Sequence, residues 1–350
     1  MTQPPGSVSV VVPCFNYGWC LRDCVESVLD QADVDVRVLI IDDASTDTSA
    51  RVAAELSAAD ARVEVRSHVA NRGHIRTFNE GLQWASGTYT VLLSADDLLV
   101  PGALQRAGAL LEAHPEVGFV YGQALVFHDA GSRPKPATGP VGWTIWPGRE
   151  WFATRCRATE NCVASPTAVV RTRLQQQIGA YREDLPHSAD FEMWMRFALH
   201  ADVGYVGGAH HAYYRAHPTS MSHQRFGTAL ADLTQVRAAF EVLFQQHGEI
   251  IADRQRLEEL VRRTLARRAL RAACRAYDGG QPNLAEVTGL EALATSTYSD
   301  ARRLRERYSL RWRQRLGPRL CWTLQPFLLV TVAQRLRRRL QRRRRQRAGL

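Results

Sequence analysis

Three groups of carboxylates draw attention because each stands at the edge of an apolar run. Residues 34–41 lead into Asp42 and Asp43, with Ser45 and Asp47 just beyond. Residues 88–93 lead into Asp96 and Asp97, and Asp190 stands ahead of the apolar-periodic stretch 191–199. Adjacent carboxylates repel, which raises the pKa of one of them unless a cation intervenes. A hard divalent metal, Mn2+ or Mg2+, supplies that cation when it also bridges diphosphate oxygens. Either acid of the Asp42–Asp43 pair can accept hydrogen bonds from a base or a ribose. Ser45, Asp47 and Asp190 could each simply cap a helix; two acids side by side exceed what capping needs.

The elements that would position these acids alternate. Residues 7–12, 34–41, 62–67, 88–93 and 117–127 read as strands, and residues 19–29, 48–58, 75–85 and 102–113 read as helices. This βαβ pattern predicts an α/β fold with an open, mainly parallel sheet flanked by helices. In such a sheet the ligand crevice lies beyond the carboxyl ends of the strands, where these acids stand. Residues 129–148, rich in Gly and Pro, read as a mobile loop beside the site. From Thr228 the pattern turns helical, with Leu230, Leu233, Val236 and Phe240 at spacings of three or four and a break at residues 279–282. Leu316, Leu320, Leu324, Leu328, Val332, Leu336 and Leu340 then recur every four residues with Arg between them, predicting a basic amphipathic helix kinked at Pro326. The expected domains are 1–225, a helical region 226–309 and a tail 310–350.

Composition narrows the function. With 350 residues and 45% apolar content the chain can bury a sizeable core. The formal charge of +10 is uneven: residues 301–350 hold 17 Arg and a single acid, Glu306, leaving 28 bases against 34 acids before them. Lys135 is the only lysine, which excludes a G-x-x-x-x-G-K phosphate loop and with it the commonest kinase and ATPase chemistry. The seven cysteines form no C-x-x-C pair, against a disulfide framework and a zinc ribbon. Residues 1–6 have no signal-peptide character, so a cytoplasmic location is expected. Residues 316–333 contain Gly317, Pro318, Arg319, Gln325 and Pro326, and a span needs roughly 20 apolar residues, so no bilayer crossing is expected there.

Taken in order, Val11-Val12-Pro13-Cys14-Phe15-Asn16, Ile41-Asp42-Asp43-Ala44-Ser45-Thr46-Asp47, Asn71-Arg72-Gly73 with Asn79-Glu80-Gly81, Ala85-Ser86-Gly87-Thr88-Tyr89 and Ser94-Ala95-Asp96-Asp97 resemble the family 2 glycosyltransferases. The resemblance continues through residues 178–185, 190–196 and 214–217, covers roughly residues 7–225 and fades afterwards. Two positions depart from it: Ser94 stands where the family often has Asp, and Phe78 where it often has Arg.

The resemblance implies a GT-A type catalytic domain that moves a sugar from a nucleotide-diphosphate sugar, UDP-sugars favoured, to a hydroxyl of a glycan, lipid-linked or small-molecule acceptor. Pro13, Phe15, Asn16, Asp43 and Asn71 would contact the nucleotide, with Asp96 near the ribose or diphosphate. Asp97 would bind the divalent metal and His217 complete its shell. Asp190 would be the general base of a single, inverting displacement. Arg215 would assist at the diphosphate. Trp194, one helical turn beyond Asp190, either lines the acceptor pocket or packs in the core. His210, His211 and His223 are incidental to this reading.

The arginine-rich tail fits an anionic membrane surface, each Arg near it contributing about 1 kcal/mol. Peripheral attachment at the inner face of the plasma membrane would place the protein beside lipid-linked acceptors in bacterial cell-envelope polysaccharide synthesis. Nucleic acid ranks below membrane, since no recognition module or aromatic platform is interleaved with the arginines. The rival from another class is a non-catalytic scaffold whose helical and basic C-terminus binds a membrane or partner. A nucleotidyltransferase would show a Gly- and Lys- or Arg-rich phosphate loop near the N-terminus, and residues 11–18 are not one.

Overall fold

The computed structural model describes residues 6–128, 133–217, 220, 226–324 and 349. Described residues within Met1–Trp151 and Asn161–His217 form one compact unit, and those within Phe152–Glu160 and Pro218–Ala348 form another.

The first unit is built on strands β1 (Val8–Cys14), β2 (Val36–Asp42), β3 (Val63–Ser67), β4 (Tyr89–Leu92), β5 (Leu98–Leu99), β6 (Val117–Phe127), β7 (Thr138–Trp146), β8 (Val169–Arg171) and β9 (Asp202–Arg215). Helices α1 (Leu21–Leu29), α2 (Ser49–Ala59), α3 (His74–Trp84), α4 (Ala103–Ala113), α6 (Thr172–Ile178) and α7 (Ala189–His200) connect them, and α5 (Gly148–Ala158) starts in this unit but from Phe152 onward belongs to the second. β1 and β2 are almost wholly buried, as continuous Val, Leu and Ile runs in a sheet covered on both faces must be. Helix α1 presents Leu21, Cys24, Val25 and Val28 to that core, the i, i+3, i+4, i+7 stripe of a helix docked on a sheet.

The sheet runs β3-β2-β1-β4-β8-β6-β9-β5, with β7 also on β9. The β3-β2-β1-β4 half is parallel, as expected. The other half is mixed: β6 pairs β9 in parallel, whereas β8 runs antiparallel to both β4 and β6, and β9 antiparallel to β5 and β7. An apolar run specifies a strand but not its direction, which the connections set. A correction concerns the expected loop 129–148, whose residues 138–146 form β7. Pro140 and two glycines hide its alternation, and a strand with one neighbour tolerates them.

Chain order places β2 and β3 on one side of β1 and β4 on the other, so a crevice opens at this reversal beyond the strand ends. Register brings Cys14 opposite Asp42. The loops that follow β1, β2 and β4 therefore meet at one rim.

The second unit is helical: α8 (Ala229–His247), α9 (Arg254–Asp278), α10 (Leu284–Thr297) and α11 (Arg305–Leu324). Thr228 and Asn283 cap α8 and α10 by accepting from Ala231 N and from Ala285 N and Glu286 N. The expected apolar face of α8 is buried through Leu233, Val236 and Phe240. Residues 310–324, expected in a tail, lie in α11, whose inward face is Leu310, Arg313 and Cys321. Leu320 is exposed instead, and the break falls at Gly317 (φ +77) before Pro318. The repeat from Leu328 to Leu340 and the Pro326 kink lie outside the described residues. Among those described, no helix is long and apolar enough to cross a membrane.

Candidate active site

One side of the rim starts from the loops after β1 and β2, which are laced together. Asn16 takes the left-handed φ of +61, its N–H donating to Ser45 Oγ (2.9 Å) and its Oδ1 accepting from Thr46 N (2.8 Å). Gly18 N donates to Asp47 Oδ2 (3.0 Å), and a Cβ on Gly18 would meet Thr48 Oγ1 at 2.4 Å, so only glycine fits this approach. Asp47 also caps the start of α2, its Oδ1 accepting from Ser49 N (2.9 Å). Pro13 is half-buried at the end of β1, and the Phe15 ring is 44% exposed to the crevice rim.

Asp43, buried, is the most thoroughly held acid of this group. It accepts from His68 Nδ1 (2.7 Å), Arg72 N (2.7 Å) and Gly73 N (3.0 Å). Burial opposes its charge, yet the hydrogen bonds from Arg72, His68 and Gly73 outweigh it and hold the carboxyl below its ordinary pKa. Asn71 closes the same loop, donating to Asp43 O (3.2 Å) and accepting from Gly73 N (3.0 Å).

The second cluster is assembled across more than a hundred residues. After β4 the chain turns at Ser94, closed by Asp97 N donating to Ser94 O (2.9 Å). Pairing of Leu98 with Tyr213 then brings the end of β9 alongside Asp96 and Asp97. Arg215 N donates to Asp97 Oδ1 (2.9 Å) and Arg215 Nε to Asp96 O (2.9 Å). The Arg215 guanidinium is stacked between Phe127 (4.4 Å) and Trp19 (4.8 Å) and is 2% exposed. This stacking makes Arg215 a fixed strut of the aspartate pair, a role different from the free diphosphate contact expected of it. His217 Nε2 lies 2.9 Å from Asp96 Oδ2, its ring edge-on to Tyr17 and Trp19.

Burial first, and the neighbouring charge of Asp96 second, push the Asp97 carboxyl well above its ordinary pKa. Such an acid is stabilised by an added cation. Among the described residues no group of three or more His, Cys, Asp and Glu side chains is arranged to hold a metal ion by itself. Two hard carboxylates and an imidazole nevertheless fit the donor chemistry of a divalent cation whose remaining ligands come from phosphate oxygens.

Asp190 lies in the first turn of α7, after the N-cap Ser188. Its Oδ1 accepts from Phe191 N (2.6 Å) and its Oδ2 from Asn161 Nδ2 (3.0 Å) and Ser165 Oγ (3.1 Å). Burial raises its pKa in spite of these bonds. Tyr214, 36% exposed on β9, has its pKa raised by desolvation and then by Asp97, Asp96 and Asp190, so it stands within electrostatic reach of all three. Sequence reasoning gave no role to Tyr214, Asn161, Ser165 or His68. Tyr214 stood inside a motif of the resemblance, and His68 directly follows a strand; Asn161 and Ser165 carried no such signal.

Trp194 resolves to core packing. It is 3% exposed, stacked on Phe119 (5.3 Å) and tilted against Phe197 (6.2 Å), and so does not line an acceptor pocket. The remaining motif residues hold the scaffold. Asn79 clamps Tyr181 from both sides, donating to its O (2.9 Å) and accepting from its N (2.8 Å). Buried Arg196 pairs with Glu192 (2.8 Å) and donates to Ile178 O (2.6 Å) and Ala180 O (2.8 Å). Phe78 packs edge-on against His74 and Tyr181, an aromatic contact where the family often has a charge.

The family model for Glycosyl transferase family 2 matches residues 9–172. An uncharacterised glycosyltransferase of Haemophilus influenzae is 26% identical over 195 residues, 53% of this chain and 58% of its own. The chain spans less than two thirds of that relative, and likewise 64% of a Mycobacterium tuberculosis relative. Two solved structures share the fold at 15% identity. Staphylococcus aureus TarS 1-349, in complex with UDP-GlcNAc, superposes with a TM-score of 0.58 over 84% of this chain and 90% of its own. The mannosyltransferase PcManGT of Pyrobaculum calidifontis, in complex with GDP-Man and Mn2+, does so with a TM-score of 0.53 over 90% and 86%. Motifs, sheet and comparison agree: residues 9–172 match the model of Glycosyl transferase family 2.

Proposed function

We propose that the protein is an inverting glycosyltransferase using a nucleotide-diphosphate sugar, with UDP-sugars favoured, and a hydroxyl acceptor on a glycan, lipid or small molecule. The observation that supports this most is the pairing of two unlike acids at one rim. Both have raised pKa values, but Asp97 is buried beside the carboxylate of Asp96, whereas Asp190 faces hydrogen-bond donors and suits a proton acceptor. Pro13, Phe15, Asn16, Asp43 and Asn71 bind the nucleotide, and Asp96 stands towards the ribose and diphosphate. Asp190 takes the acceptor proton as that oxygen bonds to the anomeric carbon. The bond from this carbon to the diphosphate breaks in the same step, and the configuration inverts. Asp97 and His217 would hold Mn2+ or Mg2+, which supplies charge for the departing diphosphate when bound. Residues 1–225 are the catalytic domain in this reading, 226–309 a helical region and 310–350 the tail.

The test is thermal shift with a panel of nucleoside-diphosphate sugars, with and without Mn2+ or Mg2+. One nucleotide class at about 100 times its Kd should raise Tm by about 5–10 °C in a metal-dependent manner, and Asp97→Asn should lose the effect. No response across the panel would favour the non-catalytic scaffold.

A membrane role is supported by a separate observation. The outward face of α11 exposes Tyr308 (54%), Trp312 (56%) and Trp322 (55%) among Arg305, Arg311, Arg315 and Arg319. Contrary to the expectation from sequence, exposed aromatic rings do stand among these arginines, and that combination suits the interface of an anionic bilayer.

A further inference from the structure

Asp43, His68 and Glu80 form a line that the proposed chemistry leaves unused. His68 follows β3, and its side chain is 4% exposed. Its Nδ1 lies 2.7 Å from Asp43 Oδ1 and its Nε2 lies 2.9 Å from Glu80 Oε2. A neutral imidazole has one N–H and one lone pair, whereas an ionised carboxylate can only accept. Two carboxylates at hydrogen-bond distance from both ring nitrogens therefore call for two N–H groups, that is, an imidazolium. The surrounding charges are Arg72, 3.4 Å from Glu80, Arg66, 3.9 Å from Glu80, and Glu64, which pairs with Arg66 at 3.1 Å. Burial alone would favour the neutral ring, but the bonds to Asp43 and Glu80 outweigh it and raise the His68 pKa above the ordinary 6.5.

The arrangement also fixes what Asp43 can still do. Its Oδ1 accepts from His68 and Arg72 N, and its Oδ2 accepts from Gly73 N. A carboxylate offers about four acceptor positions, so one remains, on Oδ2. We propose that His68, doubly protonated and anchored by Glu80, is the positioning residue that locks Asp43 to accept an N–H of the donor's nucleobase, so that nucleotide affinity falls as His68 loses its proton. This rests on the reading of Asp43 as a nucleoside contact.

The test uses the full chain with UDP and GDP as probes, titrated by calorimetry from pH 5.5 to 9. In wild type, affinity for the nucleotide that binds should drop about tenfold as pH rises through the His68 pKa, the loss of one charge-assisted hydrogen bond. Glu80→Gln should keep the low-pH affinity but move the midpoint to lower pH, which a merely structural role would not do. His68→Gln should bind about tenfold more weakly with a flat profile. Nitrogen-detected NMR of the wild-type ring, assigned by its disappearance in His68→Gln, should show both nitrogens protonated at pH 7. A neutral ring at pH 7, or an unmoved midpoint in Glu80→Gln, overturns the inference. If Asp43→Asn binds as wild type, or neither nucleotide binds, the underlying nucleoside reading fails instead.

Discussion

Asp97, buried, and Asp190, half-buried, both have raised pKa values, and they answer to substitution differently because their neighbours differ. Asp97 faces a second carboxylate. Its folded pKa lies above the unfolded one, so the folded protein binds the extra proton and loses stability as pH rises from the ordinary carboxyl value through the raised one. Asp97→Asn removes that repulsion, so without metal the variant should unfold at the same or a higher temperature at pH 7 while losing transfer. A lower metal-free Tm would count against the pairing argument. Asp190 faces donors instead. Asp190→Asn should cut turnover by about 10²–10⁴ in a glycosyltransfer assay with the fold intact. Since the base acts deprotonated, the acid limb of kcat/KM should lie above the ordinary carboxyl pKa. Ser165→Ala deletes a hydrogen bond that favours the anion, which should move this limb to still higher pH.

At the scale of elements, close approach explains motif residues that touch no ligand. Helix α3 lies so near β1 that a Cβ on Gly81 would sit 2.1 Å from Val11 Cγ1. Gly81→Ala should therefore destabilise the protein by about 1–3 kcal/mol through overpacking, although alanine is the better helix former. The urea midpoint measures this, and an unchanged midpoint would mean that α3 can slide. The antiparallel step at β8 and the β5–β9 pairing matter more for chemistry, because they return the chain from residue 215 to the tip of β4.

For the whole molecule, the arginine bias and the exposed face of α11 belong together. Vesicles containing anionic lipid should bind the intact chain at low salt and blue-shift its tryptophan emission. Raising salt beyond the screening range should release it, since each Arg contributes about 1 kcal/mol of largely electrostatic attraction. Trp312→Ala with Trp322→Ala should weaken binding without altering donor affinity. Equal binding to neutral vesicles would rule out the electrostatic account.

The sequence by itself determined the alternation of strands and helices from β1 to β4 and on through α4 to β6, apart from the short β5, the placement of acids after β2 and β4, and the inward face of α8. Each depends on a pattern within one window: continuous burial, a 3.6-residue stripe, or polar residues where an apolar run stops. The family resemblance was legible for the same reason, since its motifs are local. Tertiary structure alone decided that residues 138–146 form a strand, that β8 opposes its neighbours and that Trp194 is core. It also decided that Arg215 braces Asp96 and Asp97, and that His68 bridges Asp43 and Glu80. These contacts join residues 12 to 119 positions apart. Their existence rests on strand register, strand direction and burial, which no local window contains.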